Sequence, residues 1–85
     1  MRVTWIIVGA GVGGRTVEDV EEAVQAVQGA VRESLAPHPP EVAAKVLHGA
    51  WGPLRAALVT DGRMAVSQGR SWSSSSGGIS VELLP

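Results

Sequence analysis

Valine recurs at Val17, Val20, Val24, Val27 and Val31, in alternating steps of three and four residues, with Ala23 and Ala30 widening the stripe. That spacing gathers the five side chains on one face of an α-helix. The other side carries Glu18, Glu22, Gln25 and Arg32. A helix with such a stripe draws most of its stability from a second apolar layer packed over it, so the rest of the chain must supply that layer. Upstream, Thr16 followed three residues later by Asp19 has the spacing of a capping box, and Glu18, Glu21 and Glu22 complement the positive end of the helix dipole. This predicts a helix starting at Val17.

The material for the second layer is limited. At 85 residues the chain has room for one domain, residues 1–85, around one modest core. There is no cysteine, so a disulfide scaffold, a thiol nucleophile and a thiolate zinc site are all excluded. Seven basic against eight acidic residues give no field that would steer the chain to nucleic acid or to an anionic membrane. Six arginines to one lysine, with much Ala, Gly and Val, is the usage of a GC-rich bacterial or phage gene. The apolar run after Met1-Arg2 is too short to span a bilayer, which takes about 20 apolar residues, and the expected location is cytoplasmic.

Val3 to Val8 is short, β-branched and ended by glycine, which predicts a strand. Both of its faces are apolar: Val3, Trp5 and Ile7 on one, Thr4, Ile6 and Val8 on the other. That suits a central strand. Pro37-His38-Pro39-Pro40 separates the first helix from a second, with Val42, Val46, Leu47, Ala50 and Trp51 as its apolar positions and Gly52-Pro53 as its stop. Asp61-Gly62 between two β-like runs predicts a hairpin pairing Val59 with Met64 and Ala57 with Val66. Gly69 to Gly78 reads as a flexible Gly/Ser loop, and Ile79, Val81 and Leu83 alternate with polar residues in a last strand. The expected fold is α+β, in the order β-α-α-β-β-β: a mostly antiparallel four-stranded sheet with two helices packed on one face.

Four features carry possible chemistry. Gly9-Ala10-Gly11-Val12-Gly13-Gly14 fits G-x-G-x-x-G and locally resembles the dinucleotide-binding fingerprint of Rossmann proteins. In that family the helix opens inside the motif and a parallel strand follows it, whereas here the cap comes after Gly14 and a second helix follows the first. His48, near the end of the second helix, and His38, between prolines, have no metal-ligand partner at useful spacing. Ser71 to Ser76 offers hydroxyls, with Trp72 among them, but no base and no nucleophile elbow. Arg63, Arg70 and Trp72 could form a cationic, stacking edge for single-stranded nucleic acid, but three residues do not make a patch.

What the fold does not absorb is an apolar surplus. Helices on one side of the sheet cover Val3, Trp5, Ile7, Val59, Met64 and Val66, leaving Ile6, Val8, Leu58, Ala65 and Leu84 on the other face or near it. Exposed apolar faces of this kind mark interfaces. The expectation is a non-enzymatic interaction or assembly module, such as an accessory protein, with those five as interface residues. It would form a homo-oligomer or bind a protein partner. No catalytic residue, metal, cofactor, nucleic acid or membrane is expected. The alternatives are a nucleotide-binding protein using Gly9 to Gly14, or a small nucleic-acid-binding domain using Arg63, Arg70 and Trp72.

Overall fold

In the computed structural model, which describes every residue from Met1 to Pro85, β1 (Arg2–Ile7) runs through the middle of a four-stranded sheet. β2 (Gly11–Thr16) follows it through a tight turn, and β3 (Trp72–Ser76) and β4 (Ile79–Leu84) form a second hairpin at the end of the chain. The strand order is β2-β1-β4-β3, with every neighbouring pair antiparallel. Between the hairpins lie α1 (Val20–Leu35) and a second helical rod. The architecture is therefore α+β with four antiparallel strands and two helices, and its element order is β-β-α-α-β-β.

The valine stripe behaves as its spacing requires. Val20, Val24, Val27 and Val31, with Ala23 and Ala26, are buried against Val3, Ile79, Val81 and Leu83 of the two central strands. The start of the helix lies three residues later than expected, because Asp19 and not Thr16 is the N-cap. The Asp19 carboxylate accepts from Glu22 N–H, and the Glu22 carboxylate accepts in turn from Glu18 N–H. Thr16 is held back by the sheet, paired with Arg2 at the end of β2, and Val17 N–H donates to the Met1 carbonyl.

The second rod departs most from expectation. It comprises α2 (Pro40–Val46), α3 (Gly52–Ala57) and α4 (Arg63–Ser67), joined by widened turns over Leu47–Trp51 and Leu58–Gly62. Gly52-Pro53 does not stop it. A proline inside a regular helix clashes with the carbonyl four residues back. Here the preceding turn opens to a hydrogen bond spanning five residues, from Gly52 N–H to the Leu47 carbonyl, and the chain stays helical. The hairpin expected at Asp61-Gly62 is likewise absent, since residues 58–67 are helical. Trp51, Leu54 and Leu58 recur at helical spacing and are buried as one stripe. Gly62 continues that line: a Cβ there would meet Leu58 Cδ1 at 3.2 Å and the Trp72 ring at 3.3 Å. Burying that stripe outweighs the roughly 1 kcal/mol that a glycine costs inside a helix. The two rods meet where Trp51 Nε1–H donates to Gln28 Oε1 at 3.2 Å.

The Gly/Ser stretch is not a loop either. Ser76 and Ile79 close a two-residue turn in which Gly77 and Gly78 have φ of +52° and +86°, the conformation of a tight hairpin turn that two glycines adopt without strain. The serines pair in register with β4, and Trp72 anchors the strand by packing against the core.

Candidate interaction face

Cross-strand partners in a sheet share a face, so the register defines what each side presents. Val3, Trp5 and Ile7 stand opposite Leu83, Val81 and Ile79, and this side lies beneath the helices. The other side is not covered by either helix. It carries Thr16, Arg2 and Leu84 in one row, Gly14, Thr4, Glu82 and Ser73 in the next, and Val12, Ile6, Ser80 and Ser75 in the third. Across its centre runs a shallow concavity of about 390 Å³ bordered by Thr4, Ile6, Ser73, Ser75, Ser80 and Glu82. The Arg2 guanidinium lies over Gly14, where an added Cβ would come within 2.9 Å of its Nη2.

The apolar part of this face is concentrated at one end. Ile6 is 54% exposed and its cross-strand partner Val12 is 77% exposed. Val8, just past the end of β1, is also exposed and donates its N–H to the Gly78 carbonyl, which ties the two hairpin ends together. Of the five expected interface residues, Ile6 and Leu84 are on this face and Val8 adjoins it, with Leu84 half-buried. The other two are elsewhere. Leu58 is fully buried on the core side of the second rod, and Ala65 lies half-buried on α4, in the helical layer. Both corrections follow from the helix that replaces the expected hairpin. Val12 was missed because it sits among glycines that read as a turn. Its signal was the three-residue stretch Val8-Gly9-Ala10 between Ile7 and Gly11, a hairpin spacing.

The remaining candidate groups do not converge. Gly11, Gly13 and Gly14 belong to a strand paired with β1, five or more residues before the helix begins, so they are not at a helix N-terminus where amides could hold a pyrophosphate. Gly13 instead receives the Trp5 indole, which a Cβ would meet at 2.6 Å. No three or more His, Asp or Glu side chains come together as metal ligands, and His38 and His48 are both exposed. Arg63 is paired with the Glu21 carboxylate, which holds Glu21 below the usual carboxylate range and raises Arg63. Arg70 bonds to Gln68 Oε1, and the Trp72 ring is turned under Gly62. The three do not form one stacking edge. Comparison with family models, curated proteins and solved structures returns no match. No helix is long and apolar enough to cross a membrane.

Proposed function

We propose that the chain is a non-enzymatic protein-interaction or assembly module that self-associates or binds a protein partner through the helix-free face of its sheet. The observation that carries this reading is the exposed Ile6–Val12 pair, with Val8 beside it, on the sheet face that neither helix covers. Fully burying a large aliphatic side chain contributes about 1.5–3 kcal/mol, so docking Ile6, Val8 and Val12 favours association where a partner also matches the polar rows beside them. The total accessible surface, 4939 Å², is close to the roughly 4,800 Å² of a folded monomer of this mass. A surface of that size is that of a compact single chain, which fits reversible association.

Light scattering behind a sizing column is the test. A species heavier than one chain is expected at high micromolar concentration, and Ile6→Glu with Val12→Glu should lower its mass without changing the circular dichroism. A chain that is monomeric at that concentration refutes self-association through this face.

A further inference from the structure

The sheet has two free edges, and they differ in chemistry. β2 is glycine-rich, and Arg15 projects from it with its side chain exposed. Glycines weaken a strand, and a charged side chain is one of the devices by which natural edges resist pairing. β3 is Trp-Ser-Ser-Ser-Ser, with no charge, no proline and no interruption of its five-residue register with β4. We propose that β3 is a pairing edge for a second copy of this chain, forming an antiparallel two-fold contact centred on Ser74 that joins two sheets into one of eight strands.

The geometry selects both register and occupant. Because Ser76 and Ile79 close a two-residue turn, their amides and carbonyls face each other, and alternation gives the same inward direction to Ser74 and Trp72. The backbone groups of Ser73 and Ser75 therefore point away from the sheet, without a strand to bond to. A second β3 running antiparallel, with its Ser74 opposite Ser74, sets Ser73 of each copy against Ser75 of the other. Both members of each pair present free donors and acceptors, which gives about four backbone hydrogen bonds across the axis. The side chains also match. Ser73 meets Ser75 on the open face, while on the helix side Trp72 meets Ser76, so no like charges are opposed. A strand pairing with its own copy is self-complementary in the way a two-fold interface requires. This edge is separate from the Ile6–Val12 surface, and neither proposal depends on the other.

The test uses the absence of cysteine from the chain. In the proposed dimer the two Ser74 residues form a non-hydrogen-bonded pair with Cα atoms about 4.5 Å apart, within the span of a disulfide. Ser74→Cys should then convert to a covalent dimer under mild oxidation. Ser76→Cys, whose copies would lie roughly 14 Å apart at about 3.4 Å per residue along the strand, should not. We expect Ser74→Cys to cross-link at least about tenfold faster at equal concentration. Adding Ser75→Pro removes an outward N–H and leaves the ladder to β4 intact, so it should abolish the difference. Adding Ile6→Glu should leave it unchanged, which separates failure of the edge contact from failure of the face. Equal cross-linking of Ser74→Cys and Ser76→Cys, in chains with unaltered circular dichroism, overturns the proposal. So does a difference that survives Ser75→Pro.

Discussion

The contact between the second hairpin turn and the helical layer can be tested at a single pair of atoms. Gly77 has φ of +52°, and a Cβ built on it would stand 2.5 Å from the Ala50 Cβ, a carbon on a buried residue of the second rod. Gly77→Ala therefore carries two costs. A non-glycine residue in the left-handed region loses about 1–2 kcal/mol. Overlap at 2.5 Å must be relieved by moving the turn or the rod, which adds about 1–3 kcal/mol. The sum, roughly 2–5 kcal/mol, is a large part of the 4–13 kcal/mol that about 0.05–0.15 kcal/mol per residue gives a chain of this length. Gly69 separates the two costs, because its φ is +74° and nothing lies within 4 Å of an added Cβ, so Gly69→Ala should lose only the conformational part. Ala50→Gly removes the other partner. Alone it should cost about 1 kcal/mol or more in helix propensity and lost packing. Combined with Gly77→Ala it should recover about 1–3 kcal/mol, as a favourable coupling in a double-mutant cycle. Urea unfolding followed by tryptophan fluorescence, to which buried Trp51 contributes, reads all four variants. A Gly77→Ala loss no larger than that of Gly69→Ala, or no coupling with Ala50→Gly, would refute the close packing of turn against rod.

Two further comparisons test the points where the structure overrules the sequence reading. Leu58→Ala should destabilise by about 2–5 kcal/mol and Leu58→Glu should unfold the isolated chain, whereas Ile6→Ala should shift the urea midpoint little; equal effects at the two positions would return Leu58 to the surface. Asp19→Ala should cost about 1 kcal/mol through loss of the helix cap, while Thr16→Ala should cost less than half of that, and the reverse order in thermal melts would place the helix start at Val17.

Periodicity was legible wherever one face of an element is buried. The α1 stripe and the Ile79, Val81, Leu83 alternation each predicted a buried face, because a single side packed on the core repeats at the period of the backbone itself. β1 was legible as a strand from its β-branched run ended by glycine, although only its Val3 side is covered. Asp19 and Thr16 were both chemically suited to cap α1, and local sequence does not choose between them. Asp19 caps the helix because the pairing of β2 with β1 withholds Thr16.

Elsewhere local chemistry pointed one way and tertiary packing another. Asp61-Gly62 is a turn dipeptide by propensity, yet Leu54 and Leu58 are buried together only if the chain is helical there, and the Trp72 ring packed against Gly62 turns the missing side chain into a close contact. The glycines of Gly11 to Gly14 and the serines of Ser73 to Ser76 have little side-chain reason to be strands. They pair because β1 and β4, pinned by the core, present unsatisfied edges to them. The candidate face followed from those same pairings. Ile6, Val8 and Leu84 could be named from alternation alone, but Val12 joins them only once β2 pairs with β1, and Leu58 and Ala65 leave them only once the chain between the hairpins is known to be helix. A strand's own residues fix which side chains share a face, and its hydrogen-bonding neighbours, often distant in sequence, fix which face meets water.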